Sequence, residues 1–172
     1  MASRSRDERA AVQGAQRGSL PDFESLFRLH WAPAYRAAYL VVRDAAAAED
    51  IAQEAFLAAV RALDRFDRRR PFGPWLHRIV VNRAIDWARR RELRREVGGD
   101  ALTAEPAPPE TSPDRGLVDA LAGLTADHRA VIVLRYLLEY TPGEIAELLD
   151  LPRGTVNSRL RRALDQLKGR VE

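Results

Sequence analysis

Residues 141–168, TPGEIAELLDLPRGTVNSRLRRALDQLK, predict two helices joined by a tight turn. Thr141 and Glu144 have the spacing of a capping box, and Pro142 suits the first helical position, where its missing N–H costs nothing. The apolar pattern of this first helix then breaks. Pro152 can begin the second helix, because its φ angle is already close to the helical value.

The second helix is amphipathic at the 3.6-residue period. Its apolar side consists of Val156, Leu160, Ala163, Leu164 and Leu167. Its outer side consists of Gly154, Asn157, Ser158, Arg161 and Arg162. A short helix, a turn and a second helix with a polar outer face form the layout of a helix-turn-helix, whose second helix lies in the DNA major groove. Two ordinary amphipathic surface helices are the alternative interpretation.

The composition limits the class of protein. The 172 residues allow one ordinary domain or two small ones, and a hydrophobic content of 46 % is enough for a core. The chain has no cysteine, which excludes disulfides and thiolate metal sites. No apolar run is long enough to cross a bilayer, and the N-terminus lacks the apolar segment of a signal peptide. We therefore expect a cytoplasmic protein without membrane insertion.

Charge is distributed unevenly along the chain. Residues 65–95 hold eleven arginines against three acidic residues, whereas residues 96–114 hold five acidic residues and neither lysine nor arginine. Residues 97–113 also contain two glycines and four prolines, so they cannot bury enough apolar surface to offset the cost of ordering. The sequence therefore predicts a flexible acidic linker at residues 96–114.

We find no strand signal, because neither period-two alternation nor a hairpin turn occurs. The prediction is an all-α protein of two small helical domains joined by the linker, with the helix-turn-helix in the C-terminal one. The predicted division is a tail and short helix at 1–18, a first domain at 19–95, the linker at 96–114 and a second domain at 115–172.

Several local features predict where helices begin and end. The tail, residues 1–5, is expected to be disordered, and Gly18 should close the short helix after it. Pro33 should kink or interrupt the next helix. Asp44 precedes an alanine-rich helix at 45–63, residues 64–74 are a loop with two prolines, and a long helix follows at about 75–95. Thr125 can cap the helix at 125–138.

A polar stripe on the 45–63 helix is the first candidate binding surface. Its members follow the spacing i, i+3, i+4, i+7 and are Asp50, Gln53, Glu54 and Leu57. This stripe is either an ordinary solvated face or a docking surface for a basic or polar groove on another protein.

The arginine-rich segment 68–95 also contains aromatic residues and is the second candidate surface. Arginines interleaved with aromatic side chains suit single-stranded DNA, because charge matches the backbone and rings stack on the bases. The alternative is that the aromatics are core and the arginines only add solubility. For Trp75 we predict a core position, whereas both interpretations remain open for Trp87.

The sequence offers no candidate catalytic residue, no metal ligand set and no cofactor motif. His30, His77 and His128 are far apart and lack a paired ligand spacing such as HExxH. We therefore do not expect an enzyme.

In this order, the segments resemble the extracytoplasmic-function (ECF) group of bacterial RNA polymerase sigma factors, part of the sigma-70 family. The resemblance is carried by FESLFRLHWAPAYRAAY (23–39), DAAAAEDIAQEAFLAAVRAL (44–63), FGPWLHRIVVNRAIDWARRR (72–91) and EIAELLDLPRGTVNSRLRRAL (144–164). AEDIAQEAF and GTVxSRLxRAL are the most specific of these motifs. The resemblance implies a subunit that binds core RNA polymerase, directs it to promoters and helps to open the minus-ten region.

The resemblance also implies residue roles. The stripe Asp50, Gln53, Glu54 and Leu57 would contact the clamp helices of the β′ subunit. The minus-ten element would be read or held by Arg68, Arg69, Arg70, Asn82, Arg83, Asp86, Trp87 and Arg90, the three loop arginines lying near a flipped base. The minus-thirty-five element would be read by Thr155, Asn157, Ser158, Arg159, Arg161 and Arg162.

The implied partners are core RNA polymerase, through its β and β′ subunits, and promoter DNA in duplex and single-stranded form. An anti-sigma factor is a further partner that the resemblance allows. The alternative function is a stand-alone helix-turn-helix regulator that never engages polymerase. The polar stripe on the 45–63 helix and the arginine–aromatic segment distinguish these two functions, because a simple repressor needs neither.

Overall fold

The computed structural model describes residues 2–98 and 115–169, and all the regular secondary structure in these ranges is helical. The all-α prediction is confirmed. The helices are α1 (Ala2–Gln16), α2 (Leu20–Val42), α3 (Ala45–Ala62), α4 (Phe72–Glu96), α5 (Arg115–Leu121), α6 (Ala126–Ile132), α7 (Pro142–Leu149) and α8 (Arg153–Lys168). A 3₁₀ turn, Leu63–Arg65, follows α3, and a π-helical turn, Val133–Leu137, follows α6.

Capping side chains begin three of the helices at the predicted positions. Asp44 Oδ1 accepts a hydrogen bond from the Ala47 N–H (3.0 Å), and Thr125 Oγ1 accepts one from the N–H three residues on (3.4 Å). Thr141 and Glu144 form the predicted capping box, with Glu144 N–H donating to Thr141 Oγ1 (3.3 Å) and Thr141 N–H donating to Glu144 Oε2 (2.7 Å). These bonds satisfy N–H groups that have no partner within the helix.

Pro33 does not interrupt α2, so that part of the prediction is wrong. The helix runs continuously from Leu20 to Val42 with Pro33 inside it. A proline in a helix interior costs about 3 kcal/mol. Here the helix is central, and its C-terminal half, from Ala37 to Val42, is buried without a break. Burial of this segment offsets the lost hydrogen bond.

Two predicted helix boundaries also need correction. α1 begins at Ala2, so the tail is helical from its second residue rather than disordered; alanine and arginine carry little helix penalty. Gly18, at φ +87°, follows α1 as predicted. α4 begins at Phe72 rather than at residue 75. Pro74 fits there, because the first turn of a helix has no use for its missing N–H.

The helices form two units that share one apolar core. In the N-terminal unit (α1–α4), α2 packs against α1, α3 and α4; in the C-terminal unit (α5–α8), α8 packs against α6 and α7. α2 and α4 also contact α6, and α4 contacts α7. The helix-turn-helix core is the predicted one, with Ile145, Leu148, Val156, Leu160 and Ala163 buried. The domain limits stay predictions, and residues 99–114 of the predicted linker lie outside the described residues.

Candidate polymerase-binding and DNA-binding surfaces

The predicted docking stripe lies on the open side of α3. Asp50, Gln53 and Glu54 are exposed, and Leu57 is 56 % exposed, unusual for a leucine beside a well-filled core. The opposite side of the same helix is buried through its alanines, Ile51 and Phe56. α3 therefore presents a polar stripe with one apolar side chain, on a rigid support.

Residues of the predicted minus-ten set face this stripe across a groove between α3 and α4. The groove has a volume of about 610 Å³ and is lined by Ala47, Asp50, Ile51, Glu54, Arg83, Asp86, Trp87 and Arg90. Glu54 Oε2 accepts from Arg83 Nη1 across it (2.8 Å). The structure thus brings two predicted sets, separated by about thirty residues of sequence, to the two walls of one groove.

For Trp87 the sequence left open a core position and a position on the candidate DNA surface, and the structure shows features of both. Its ring is half-buried and packs against the core, and it also lines the α3–α4 groove. The Arg91 guanidinium lies over the ring, 5.2 Å from its centroid, and Arg91 Nη1 donates to Asp44 Oδ2 (3.0 Å). Trp87 is therefore held on one side and open to the groove on another.

The arginine loop, Asp67–Arg70, precedes the N-terminus of α4, whereas the groove residues of α4 lie from the middle of this helix into its second half. At about 1.5 Å per residue, Asn82 is roughly 15 Å along the helix from Phe72. All four loop side chains are exposed. Arg69 Nε and Nη2 donate to both oxygens of Asp67 (3.0–3.1 Å), and this ion pair holds the pKa of Asp67 below its ordinary value. Arg69 is thereby partly neutralised by its own loop.

The second helix of the predicted helix-turn-helix, α8, presents three of its predicted residues openly. Asn157, Arg161 and Arg162 are exposed, whereas Thr155 and Ser158 are half-buried. Ser158 Oγ donates to Thr155 O (2.9 Å), so this hydroxyl serves its own helix. The three exposed side chains are the best placed to reach base edges.

Arg159 is placed differently from its neighbours. Its Nη1 donates to Asp127 Oδ1 on α6 (3.3 Å), and the side chain is only 22 % exposed. The same carboxylate oxygen also accepts from Arg89 Nη2 on α4. Asp127 therefore joins α8 to the N-terminal unit.

Family models match both units. The model for Sigma-70 region 2 matches residues 26–94, and the model for Sigma-70, region 4 matches residues 120–169. The ECF RNA polymerase sigma factor SigL of Mycobacterium tuberculosis is 36 % identical over 166 residues, which cover 92 % of this chain and 94 % of SigL. SigW of Bacillus subtilis, also an ECF RNA polymerase sigma factor, is 31 % identical over 173 residues, covering 91 % of this chain and 92 % of SigW. The chain belongs to the ECF group of sigma-70 factors.

Solved structures agree with this assignment. CnrH, in complex with the cytosolic domain of CnrY, superposes with a TM-score of 0.72 at 28 % identity, covering 96 % of this sigma factor and 97 % of that chain. RpoE, in complex with the anti-sigma factor NepR from Bartonella quintana, has a TM-score of 0.71 at 24 % identity over 87 % of this chain and 96 % of that one, a likeness of fold. The predicted architecture of a region 2 unit and a region 4 unit is confirmed, and the protein is an RNA polymerase sigma factor.

No sequence pattern predicts that the two units of the sigma factor contact each other through specific polar bonds. Arg129 on α6 is 5 % exposed and donates to Val41 O of α2 (2.6 Å), to Leu124 O (2.5 Å) and to Glu92 Oε1 of α4 (3.2 Å). Arg43 Nη1 donates to a backbone carbonyl just before α6 (3.3 Å). An arginine among apolar neighbours, as in RAVIVL (129–134), is the only sequence trace of these bonds, and it names no partner.

A second missed contact joins His77 of α4 to Tyr140, which stands just before α7. His77 Nδ1 lies 2.7 Å from Tyr140 Oη, and His30 lies nearby with a ring-centroid separation of 6.3 Å. His30 Nε2 is 2.6 Å from Glu8 Oε1. Burial, and then the positive charge that His30 can carry, lower the pKa of His77 to about 4, while Glu8 opposes this. Burial also raises the pKa of Tyr140.

We expect the buried His77 to make the sigma factor less stable as the pH falls from about 6.5 to about 4. In this window the unfolded chain protonates His77 and the folded chain does not, so protons favour unfolding. The expected loss of unfolding free energy is on the order of 3 kcal/mol at pH 4. Urea unfolding across this range measures it, and His77→Gln should flatten the profile. An unchanged slope in that variant would rule out His77 as its source.

No metal site or membrane span occurs in the described part of the chain. None of its His, Asp and Glu side chains form a group of three that could hold a metal ion. Within residues 2–98 and 115–169, every helix is too short or too polar to cross a bilayer.

Proposed function

We propose that the α3 stripe docks on core RNA polymerase, that the α3–α4 groove and the arginine loop receive the minus-ten element, and that the outer face of α8 reads the minus-thirty-five element. The observation that carries this proposal is the shared groove, in which Glu54 of the docking stripe pairs with Arg83 of the minus-ten set (2.8 Å). A DNA strand separated there would lie against the polymerase that α3 holds.

The docking part of the proposal rests on charge and exposure. Asp50 and Glu54 offer carboxylates to solvent, Gln53 offers an amide, and Leu57 adds an apolar contact. Acidic side chains around one exposed leucine suit a basic helical surface with an apolar centre, as expected for the β′ clamp helices. The family resemblance supplies that partner.

The minus-ten part of the proposal rests on an aromatic ring among arginines. Arg83 and Arg90 can match phosphate charge along the groove, while the part of the Trp87 ring that lines the groove can contact an unpaired base. Each stacked base contributes about 1–3 kcal/mol, which helps to offset unpairing. The loop arginines would hold a base that has left the duplex.

The minus-thirty-five part of the proposal rests on the exposed residues of α8. Phosphate contacts supply most of the affinity and carry no sequence information, whereas side chains at base edges specify the site. Arg161 and Arg162 are exposed on a helix whose other face is buried, and Asn157 lies one turn earlier. An arginine that contacts guanine with two hydrogen bonds can discriminate one base pair.

We predict that Arg161→Ala and Arg162→Ala weaken promoter-specific transcription. If either arginine contacts guanine with two hydrogen bonds, its loss should cost about 1–3 kcal/mol of discrimination at one base pair. Transcription in vitro from promoters with single substitutions in the minus-thirty-five element measures this. Lys168→Ala is the matched control, because it removes one positive charge from the same helix outside the predicted set. Unchanged promoter preference in both arginine variants would contradict the assignment of this face.

We further infer that the sigma factor works in the cytoplasm as a binding subunit without bond chemistry of its own. Holding polymerase, positioning DNA and trapping unpaired bases are all binding tasks. We also propose an anti-sigma protein as a regulator that covers these surfaces; competition between such a protein and core polymerase for the sigma factor tests this. The alternative of a stand-alone regulator leaves the region 2 match at residues 26–94 without a role.

A further inference from the structure

The side-chain amide of Gln16 connects the end of α1 to the segment that precedes the arginine loop. Gln16 Nε2 donates to Leu63 O (2.9 Å) and to Phe66 O (3.0 Å), which are 47 and 50 residues away in sequence. One NH₂ group has two N–H donors, and these two carbonyls use both. The bonds fix the backbone immediately before Asp67–Arg70.

The packing of α1 places this amide. Ala11 and Val12 are buried against the core, and α1 ends at Gln16 itself. Gly14 allows α1 to approach α2 closely, because a Cβ at this position would lie 1.8 Å from Asp22 Oδ2. Gln16 is half-buried in consequence, with few alternative positions for its side chain.

The segment that Gln16 holds is anchored at its side chains as well. Leu63 and Phe66 are buried, and the Phe66 ring lies 4.6 Å from the ring of Trp75. The following four residues are all exposed. Within the loop, Arg70 N–H donates to Asp67 O (2.9 Å). The loop therefore starts from a segment whose position is held by buried side chains. The Gln16 amide sets the direction of the backbone in that segment.

A second glutamine of α1 reaches the loop itself. In the orientation that satisfies its neighbours, the Gln13 side-chain oxygen accepts from Arg68 Nη1 and from Arg17 Nη2, both at 3.0 Å. A small cavity of about 30 Å³ lies between α1 and the loop, and its walls include Arg68 and Arg70. α1 thus borders the loop on the side where two of its arginines point.

We propose that Gln16 is a positioning residue for promoter opening, and that α1 holds the arginine loop ready to receive an unpaired base. This inference rests on the proposed role of the loop in the minus-ten interaction. Ordering a free backbone on binding costs conformational entropy for every residue that becomes fixed, so a loop already directed by Gln16 binds a displaced base at lower cost. Gln16 bonds to the backbone just before the loop and lies outside the set proposed to contact DNA.

The experiment compares Gln16→Met, which keeps the size of the side chain and removes both donors, with Gln16→Lys, which keeps N–H donors. Gln166→Met makes the same chemical change at an exposed position of α8 outside every predicted set. Each protein is assembled with core polymerase on a duplex promoter. Open complexes are counted by permanganate reactivity of unpaired thymines, and polymerase affinity and Tm are measured separately.

Gln16→Met is expected to reduce open complexes about fivefold to tenfold, because the free loop must then be ordered when the base binds. Polymerase affinity should stay close to that of Gln166→Met, Tm should fall by only a few degrees, as expected for two lost neutral hydrogen bonds, and Gln16→Lys should restore most of the opening. A fall in Tm with unchanged opening would overturn the inference, because it would show a purely structural role. Equal impairment of the Met and Lys variants would also overturn it, since the donors would not be responsible.

A third arm separates this inference from the proposed function. Arg68→Ala combined with Arg70→Ala removes loop charge and leaves Gln16 and its two bonds in place. If opening falls in this variant but not in Gln16→Met, only the role of Gln16 is overturned. If opening is unchanged in the double variant, the proposed role of the loop fails, and the inference fails with it.

Discussion

Exchanging Asp50 and Glu54 together for arginine is expected to abolish binding of the sigma factor to core RNA polymerase. Both carboxylates are exposed on α3, so the exchange reverses the charge of the docking stripe without disturbing the core. It also replaces the Glu54–Arg83 attraction by repulsion, but an exposed ion pair of this kind contributes only about 0–1 kcal/mol to stability. The folded protein should therefore remain intact while its docking surface repels a basic partner.

Pull-down of core polymerase by the tagged sigma factor in the absence of DNA measures this effect. Glu24→Arg combined with Asp165→Arg is the matched control, because it makes the same change of charge at two exposed positions outside the stripe. The control should bind polymerase as the unaltered protein does. Binding of the Asp50/Glu54 variant at wild-type strength would show that polymerase docks elsewhere.

Replacing Arg129 with methionine is expected to lower the free energy of unfolding by about 2–4 kcal/mol. Arg129 supplies a hydrogen-bond donor to Val41 O in the last turn of α2, where carbonyls have no partner within the helix. Removing one member of a buried ion pair costs about 3–5 kcal/mol, and the estimate here is lower because the Glu92 side chain is 39 % exposed.

Urea unfolding at neutral pH measures the loss. Arg28→Met is the control, since the Arg28 side chain is 76 % exposed and pairs with a neighbour one turn away; its change should be within about 0.5 kcal/mol. Equal stability of the two variants would mean that the buried arginine contributes nothing to holding α6 on α2 and α4.

The sequence predicted most of the elements because their signals are local. Asp44, Thr125 and the Thr141–Glu144 pair begin helices through bonds to groups three residues away, and such signals survive in any fold. Pro33 shows the limit of local sequence signals, because its effect on α2 depends on burial contributed by other helices. The two glutamines of α1 and Arg129 show this limit of local signals more clearly.

Gln16 and Arg129 bind backbone carbonyls 47 to 88 residues away. A backbone carbonyl exists at every residue, so no pattern of side chains marks which one will be bound. The docking stripe and the outer face of α8 were predictable for the opposite reason, since an exposed face needs only the period of its own helix. That Glu54 and Arg83 line the same groove could not be predicted from the sequence, because it depends on how α3 packs against α4.

Because the two units share one core, the length of DNA that they can span together is limited. Two promoter elements about 25 base pairs apart are separated by roughly 85 Å of duplex, at 3.4 Å per base pair. A closed body of roughly 150 residues is only about 40 Å across. If the α3–α4 groove and α8 contact the two elements at the same time, as proposed, the bonds that Arg129 and Tyr140 make between the units must open first, and α6 and α7 must separate from α2 and α4. The free energy of those interior contacts would then oppose each such engagement of a promoter.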